Sequence, residues 1–200
     1  MYARILPIRC HPEHSQDFLS VYKTGVLPKL VVSQGFAGAS LIADSEARTG
    51  FLLSLWTGSD TLKGSEMESR KMIASMLLPF LMESPTPQSC EVLVSAGQRV
   101  GAPFARAITL PIPNEHLESA RSVYEKEYLP LLKRQKGFWG VIWLVDRSCD
   151  QGWGISFWDT KQHMINADKN NGFFPKVLGR LAQYFSSSPV RGYHKVLSQV

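Results

Sequence analysis

Apolar positions along the chain fall into two alternating kinds of stretch. Ala3 to Ile8 and Ala105 to Leu110 are short apolar runs of strand length. Each is followed by helical spacing: Phe18, Val21, Tyr22 and Leu30 in one place, Ala120, Val123, Tyr124, Leu131 and Leu132 in the other. Pro12-Glu13 and Asn114-Glu115 supply start signals, with asparagine as a cap and a carboxylate facing the helix dipole. Pro28 and Pro130 fall inside these helices and predict a kink or break, because proline lacks the backbone donor. Gly35 and Gly137 end them. Phe36 to Ala43 and Phe138 to Val145 read as second strands. Polar loops closed by glycine follow, Asp44 to Gly50 and Asp146 to Gly152, and then third strands, Phe51 to Trp56 and Trp153 to Trp158. Long helices are expected from Ser59 to Leu81 and from Lys161 to Phe185, and last strands near Glu91 to Val94 and Tyr193 to Leu197.

The two series are copies. Displaced by 102 positions, Ala3-Arg4 meets Ala105-Arg106, Glu13-His14 meets Glu115-His116, and Ser20-Val21-Tyr22 meets Ser122-Val123-Tyr124. In the same register Leu27-Pro28 meets Leu129-Pro130, Ser54 meets Ser156 and Trp56 meets Trp158. The order β-α-β-β-α-β, met twice, is the split βαβ or ferredoxin-like motif. The expected organisation is therefore a first unit over 1–96, a linker over 97–103 and a second unit over 104–200.

The third strands are apolar on both faces, which marks strands buried on both sides. One ferredoxin-like unit covers only one face with helices. A bare face of a few hundred Å² forfeits on the order of 10 kcal/mol at ~25 cal/mol/Å², as much as the whole ~5–15 kcal/mol stability of a domain. The expected fold class is thus α+β, two ferredoxin-like units with sheets packed together as a pseudo-dimeric α/β barrel. The rival arrangement is two independent units on a flexible linker.

Composition narrows the class further. With 44% hydrophobic and 20% charged residues, disorder and low-complexity architecture are excluded. Arg4 and Arg9 interrupt the apolar core that a signal peptide needs, and no apolar run is long enough to span a bilayer. A cytoplasmic protein without membrane contact is expected. The net charge of +5 suggests an acidic partner, yet the basic residues are scattered and the densest cluster is Lys133, Arg134 and Lys136, so nucleic acid is not expected as a partner. Cys10, Cys90 and Cys149 form neither a disulfide framework nor a zinc spacing. No His, Asp and Glu spacing makes a metal site, and dinucleotide, Walker and nucleophile-elbow motifs are missing.

Gly35-Phe36-Ala37-Gly38 with Ser54-Leu55-Trp56, and Gly137-Phe138-Trp139-Gly140 with Ser156-Phe157-Trp158, resemble the antibiotic biosynthesis monooxygenase domain of the dimeric α/β barrel superfamily. The resemblance covers most of the chain and implies a tandem that mimics the usual homodimer, a monomeric pseudo-dimer whose further dimerisation the sequence leaves open. It implies chemistry on a small aromatic molecule, in some members oxidation of polycyclic phenols to quinones without metal, flavin or haem. No cofactor is then expected. Other members degrade haem, isomerise small metabolites or only bind ligands, and a non-catalytic binding or assembly protein is the alternative reading. The chain departs from the quinone-forming pattern at Leu62 and Met164, where tyrosine stands, and at Leu52 and Gly154, where asparagine stands. The haem-degrading pattern lacks its second tryptophan (Ser65, Ala167) and its histidine (Ser75, Val177).

Candidate site residues follow from chemistry in both copies. His14 and His116 near helix starts are candidate proton acceptors. Tyr22 and Tyr124 on the apolar helix side are candidates for holding a substrate hydroxyl. Trp56 and Trp158 are candidates for stacking on a planar ligand, and Arg4 and Arg106 for an anionic ligand or a carboxylate partner. The copies also differ. Val26, Ala37, Leu41 and Phe51 become Tyr128, Trp139, Trp143 and Trp153, which points to specialised units: the first leaves more room, and the second either fills its cavity or, with Trp139 and Trp143, lines it for a flat aromatic ligand.

Overall fold

The computed structural model describes residues 1–44, 49–169 and 179–200. Parts of the expected loop from Asp44 to Gly50 and of the expected helix from Lys161 to Phe185 lie outside those residues. Strand β1 is Tyr2–Arg9, β2 Phe36–Asp44, β3 Thr49–Trp56, β4 Gln88–Gly97, β5 Phe104–Pro111, β6 Phe138–Asp146, β7 Gln151–Trp158 and β8 Val190–Gln199. Their hydrogen-bonded order, β1-β3-β2-β8-β5-β7-β6-β4, is that of a closed eight-stranded barrel.

The chain divides into two compact units, Met1–Cys90 with Lys195–Val200, and Glu91–His194. In the first, β1 and β2 flank β3, and Lys195–Gln199 of β8 pairs antiparallel with β2. In the second, β5 and β6 flank β7, and Glu91–Gly97 of β4 pairs with β6. In the first unit Leu6, Ile8, Leu41 and Trp56 join one cluster with helix residues Phe18, Tyr22 and Leu30. The alternate strand residues Ala3, Ile5, Ile42, Leu53 and Leu55 are buried as well. Both faces of these strands are covered, as their unbroken apolar reading requires.

The first helical layer of unit 1 is a 3-10 turn Pro12–His14, α1 Ser15–Val21, a π turn Tyr22–Val26 and α2 Leu27–Val31. Unit 2 repeats it with Asn114–His116, α5 Leu117–Val123, a π turn Tyr124–Tyr128 and α6 Leu129–Lys133. Pro28 and Pro130 do not break the helix. The N–H of the preceding leucine reaches back five residues, to the carbonyl of Tyr22 or Tyr124, and the widened turn makes room for a ring that cannot donate. Between these layers lie α3 Ser59–Gly64, α4 Glu66–Met72, a third π turn at Ile73–Leu77 and a 3-10 turn Leu78–Phe80. The third π turn again precedes a proline, Pro79. The expected helix from Ser59 to Leu81 is therefore interrupted at Ser65 and widened before Pro79. Helix α7 is Lys161–Lys169. Asn114 is not a side-chain cap: its amide donates to the Arg147 carbonyl (2.8 Å), and the Asp150 carboxylate accepts the Asn114 N–H (3.2 Å).

The Gly-Phe-x-Gly motif has a backbone cause. Gly35 and Gly137 take φ of +75° and +79° in the turn after the helix. Ala37 and Trp139 are then extra residues in a β-bulge, since Phe36 pairs with Trp56 while Gly38 pairs with Leu55, and Phe138 with Trp158 while Gly140 pairs with Phe157. No helix among the described residues is long and apolar enough to cross a membrane.

Candidate functional site

Each unit encloses one cavity between its sheet and its helices, and the two are built from equivalent positions. The first is lined by Arg4, Leu6 and Ser54 from strands, Tyr22, Val26 and Leu30 from the first helical layer, and Ser69, Met72, Ile73 and Leu77 from the second. The second is lined by Arg106, Ile108, Tyr124, Tyr128, Leu132 and Ser156 at the matching places, with Trp143, Gly154, Leu181 and Phe185 among the rest. Their volumes are about 40 and 30 Å³, room for roughly one to three water molecules.

The arginines share a place and differ in partners. Arg106 is 1% exposed. Its guanidinium forms a salt bridge with Asp168 of α7 and donates to the Tyr128 hydroxyl (3.1 Å). Asp168 also accepts from Arg191 (3.0 Å) and from the Tyr193 hydroxyl. Burial by itself pulls the Arg106 pKa down, but Tyr128 and Asp168 hold it above its ordinary value. Arg4 is 6% exposed and meets only neutral acceptors: Ser69 (2.7 Å), Ser65 (3.1 Å) and the Leu62 carbonyl (2.8 Å). Burial holds its pKa below the ordinary value.

Tyr22 and Tyr124 open the two π turns and line the two cavities, and neither hydroxyl makes a hydrogen bond among the described residues. Burial pushes both phenol pKa values up, in Tyr124 with help from Tyr128 against the opposing Arg106 charge. Both tyrosines are therefore neutral O–H donors. Trp143 is 1% exposed, and its indole N–H has no hydrogen-bond partner among the described residues. Its ring lies 4.9 Å from Tyr124, which lies 4.8 Å from Tyr128, so three aromatic rings form one wall. Trp143 pairs across the sheet with Gly154, where the first unit pairs Leu41 with Leu52. The indole nitrogen lies closer to the other strand glycine: a Cβ on Gly152 would stand 3.3 Å from it, whereas a Cβ on Gly154 would meet only Leu110, at 3.5 Å.

Other sequence candidates take other places. Trp56 and Trp158 line neither cavity. Each donates to its serine, Ser54 (3.0 Å) or Ser156 (2.9 Å), packs edge-on against Phe36 or Phe138, and lies under its arginine at 5.7 or 5.5 Å. Trp139 is 36% exposed. It is the extra residue of the bulge, which takes it off the face shared by Val141 and Trp143. His14 and His116 lie outside both linings. His14 stands 3.7 Å from Asp17 and edge-on to Phe80, while His116 packs on Tyr184. Tyr128, Asp168 and Ser69 were not singled out as site residues from sequence. Asp168 carried one signal, because it stands four residues after the buried Met164 and so on the covered side of α7. No cluster of three or more His, Cys, Asp or Glu side chains among the described residues is placed to hold a metal ion.

No protein-family model matches the chain, and no curated protein matches it. Solved structures do. A protein from Fusobacterium nucleatum called a "putative monooxygenase" superposes with a TM-score of 0.75 at 10% identity, covering 99% of this chain and 93% of that one. A protein of the same description from Lactobacillus acidophilus gives 0.75 at 6% identity, covering 100% and 95%. An anthrone oxidase-like protein gives 0.72 at 10% identity, covering 100% and 92%. At these identities the likeness establishes the fold, a ferredoxin-like α/β barrel in a single chain.

Proposed function

We propose that the protein is a cofactor-independent monooxygenase-like protein whose second-unit cavity takes a small aromatic molecule bearing oxygen substituents. The observation that carries this reading is the Trp143 indole N–H, a buried donor without a hydrogen-bond partner among the described residues, on an aromatic wall with Tyr124. A buried unsatisfied donor costs about 1–3 kcal/mol, and a ligand oxygen offsets that cost. Arg106 lines the same cavity, with its charge paired to Asp168 and its guanidinium fixed by the Tyr128 hydroxyl. Together these groups suit a carbonyl or phenolate oxygen, and the rings of Tyr124, Tyr128 and Trp143 suit a flat body. A ring system exceeds the closed volume, so its entry requires lining side chains to move.

The fold is shared with an anthrone oxidase-like protein, and anthrone is a fitting probe. Its oxidation consumes one O2: one oxygen atom becomes the new quinone carbonyl, and the other leaves as water with the two methylene hydrogens. Oxygen uptake with anthrone, above the rate without protein, and quenching of tryptophan fluorescence are the expected results. Trp143→Phe and Tyr124→Phe should weaken both. Neither uptake nor quenching with anthrone or related phenols would overturn the reading.

One observation favours the non-catalytic alternative. Among the described residues that line the two cavities none is Asp, Glu or His, so these linings hold no ordinary proton acceptor. Quenching without oxygen uptake would select a binding protein of this fold.

A further inference from the structure

We infer that the first-unit cavity is a separate site for a short-chain aliphatic monocarboxylate, bound through Arg4 and Tyr22. The two cavities occupy equivalent places, yet only the second neutralises its arginine. Arg106 has the buried carboxylate of Asp168. At the matching position of the first unit stands Glu66, whose side chain is 51% exposed and already bonded to Arg70 (2.5 Å). Among the described residues the Arg4 guanidinium thus hydrogen-bonds only hydroxyl and carbonyl oxygens in a largely apolar enclosure, and the charge of Glu66 reaches it without a contact and is opposed by Arg70. A buried cation without a counter-charge is costly, and an anion that enters relieves the cost.

The remaining chemistry of the cavity narrows the anion. Tyr22 is 1% exposed, and its hydroxyl has no hydrogen-bond partner among the described residues. It is a second donor lining the same small space as Arg4. One cation and one neutral donor match a monoanion better than a doubly charged phosphate. The planar guanidinium and the planar carboxylate match in shape. The rest of the lining is aliphatic, with Leu6, Leu52, Met72, Ile73 and Leu77, and offers no aromatic wall like that of the second cavity. About 40 Å³ holds little more than the carboxylate head, so a short aliphatic tail enters as the flexible Met72 side chain gives way, and a ring system demands a larger rearrangement.

The test uses the intact chain with butyrate and its neutral isostere butyramide, followed by calorimetry and by the Trp56 indole N–H resonance. That indole lies 5.7 Å from the Arg4 guanidinium. Butyrate is expected to bind and to shift the Trp56 signal, with butyramide at least tenfold weaker. Tyr22→Phe should weaken butyrate about tenfold, the loss of one hydrogen bond to a charged group. Arg4→Gln should abolish binding. If that variant fails to fold, the butyrate–butyramide comparison and Tyr22→Phe still decide. Equal binding of the two probes, no butyrate binding, or an unchanged affinity in Tyr22→Phe would overturn the inference. Anthrone turnover or binding does not enter this test, so the second-unit reading can fail while this one stands.

Discussion

Replacing Asp168 by asparagine removes one charge from the most enclosed ion pair in the second unit while keeping the side-chain volume. The Asp168 side chain is 4% exposed and that of Arg106 is 1% exposed. The guanidinium would stay buried without its paired carboxylate charge, beside neutral acceptors such as the Tyr128 hydroxyl. Removing one member of a buried pair costs about 3–5 kcal/mol. For a chain of this size each kcal/mol moves the melting temperature by about 2–4 °C, so a fall of about 6–20 °C is expected. Arg106→Met should cost less, because Asp168 keeps Arg191 and Tyr193. Arg4→Met should cost least, since it removes a charge that has no buried carboxylate to strand. The double variant Arg106→Met, Asp168→Leu should recover most of the loss, as replacing a whole buried pair by apolar residues is often near neutral. Urea unfolding at pH 7, read by tryptophan fluorescence, gives all four values. An Asp168→Asn cost under 1 kcal/mol, or an Arg4→Met cost equal to it, would refute the contrast between the two arginines.

Further outcomes follow from single contacts. Gly152→Ala should destabilise by about 1–3 kcal/mol through overpacking, because an added methyl meets the Leu144 carbonyl oxygen at 3.0 Å and the Trp143 indole nitrogen at 3.3 Å, while Gly154→Ala, which meets only Leu110 at 3.5 Å, should cost less; unfolding midpoints of the two variants check this. Gly97→Ala should destabilise, because Gly97 has φ of +75° and an added methyl would collide with the Trp139 carbonyl oxygen, whereas Gly64→Ala in α3 meets open space and should gain up to about 1 kcal/mol. Burial pushes the Cys10 thiol up to about 11 and the Tyr22 and Tyr124 phenols upward as well. These groups stay protonated in the folded chain after the unfolded chain has ionised them, so stability should fall as pH rises above about 9. A flat stability profile from pH 8 to 11 would contradict that. At pH 8 Cys10 should resist thiol reagents until the protein unfolds.

Much of the fold was legible because the same signals occur twice. One register across the two halves fixed the element order, and the unbroken apolar reading of Phe51 to Trp56 demanded cover on both faces. What escaped was local geometry that the binary pattern does not encode. Pro28 and Pro130 read as kinks or breaks, and the form the distortion takes is a turn widened by one residue, which accommodates a proline at lower cost than ending the helix. Trp139 reads as a cavity residue beside Trp143 because both are aromatic only in the second copy, and the bulge between Phe138 and Gly140 takes it off that face. The site was legible in part. Arg4, Arg106, Tyr22, Tyr124 and Trp143 come together with their cavities, while His14 and His116 lie apart from them. Asp168 is the residue the sequence concealed most, because its partner Arg106 stands 62 positions away and only folding pairs them.

The indole N–H that lines the second cavity is the donor a ligand oxygen must meet. The most direct measurement is the nitrogen-15 spectrum of the indole N–H groups during titration with anthrone or an anthraquinone. Trp56 and Trp158 already donate to Ser54 and Ser156, so their signals should hold still. The Trp143 signal should move downfield and saturate as its N–H gains an acceptor. A Trp143 resonance that stays fixed while such a ligand demonstrably binds would contradict the account.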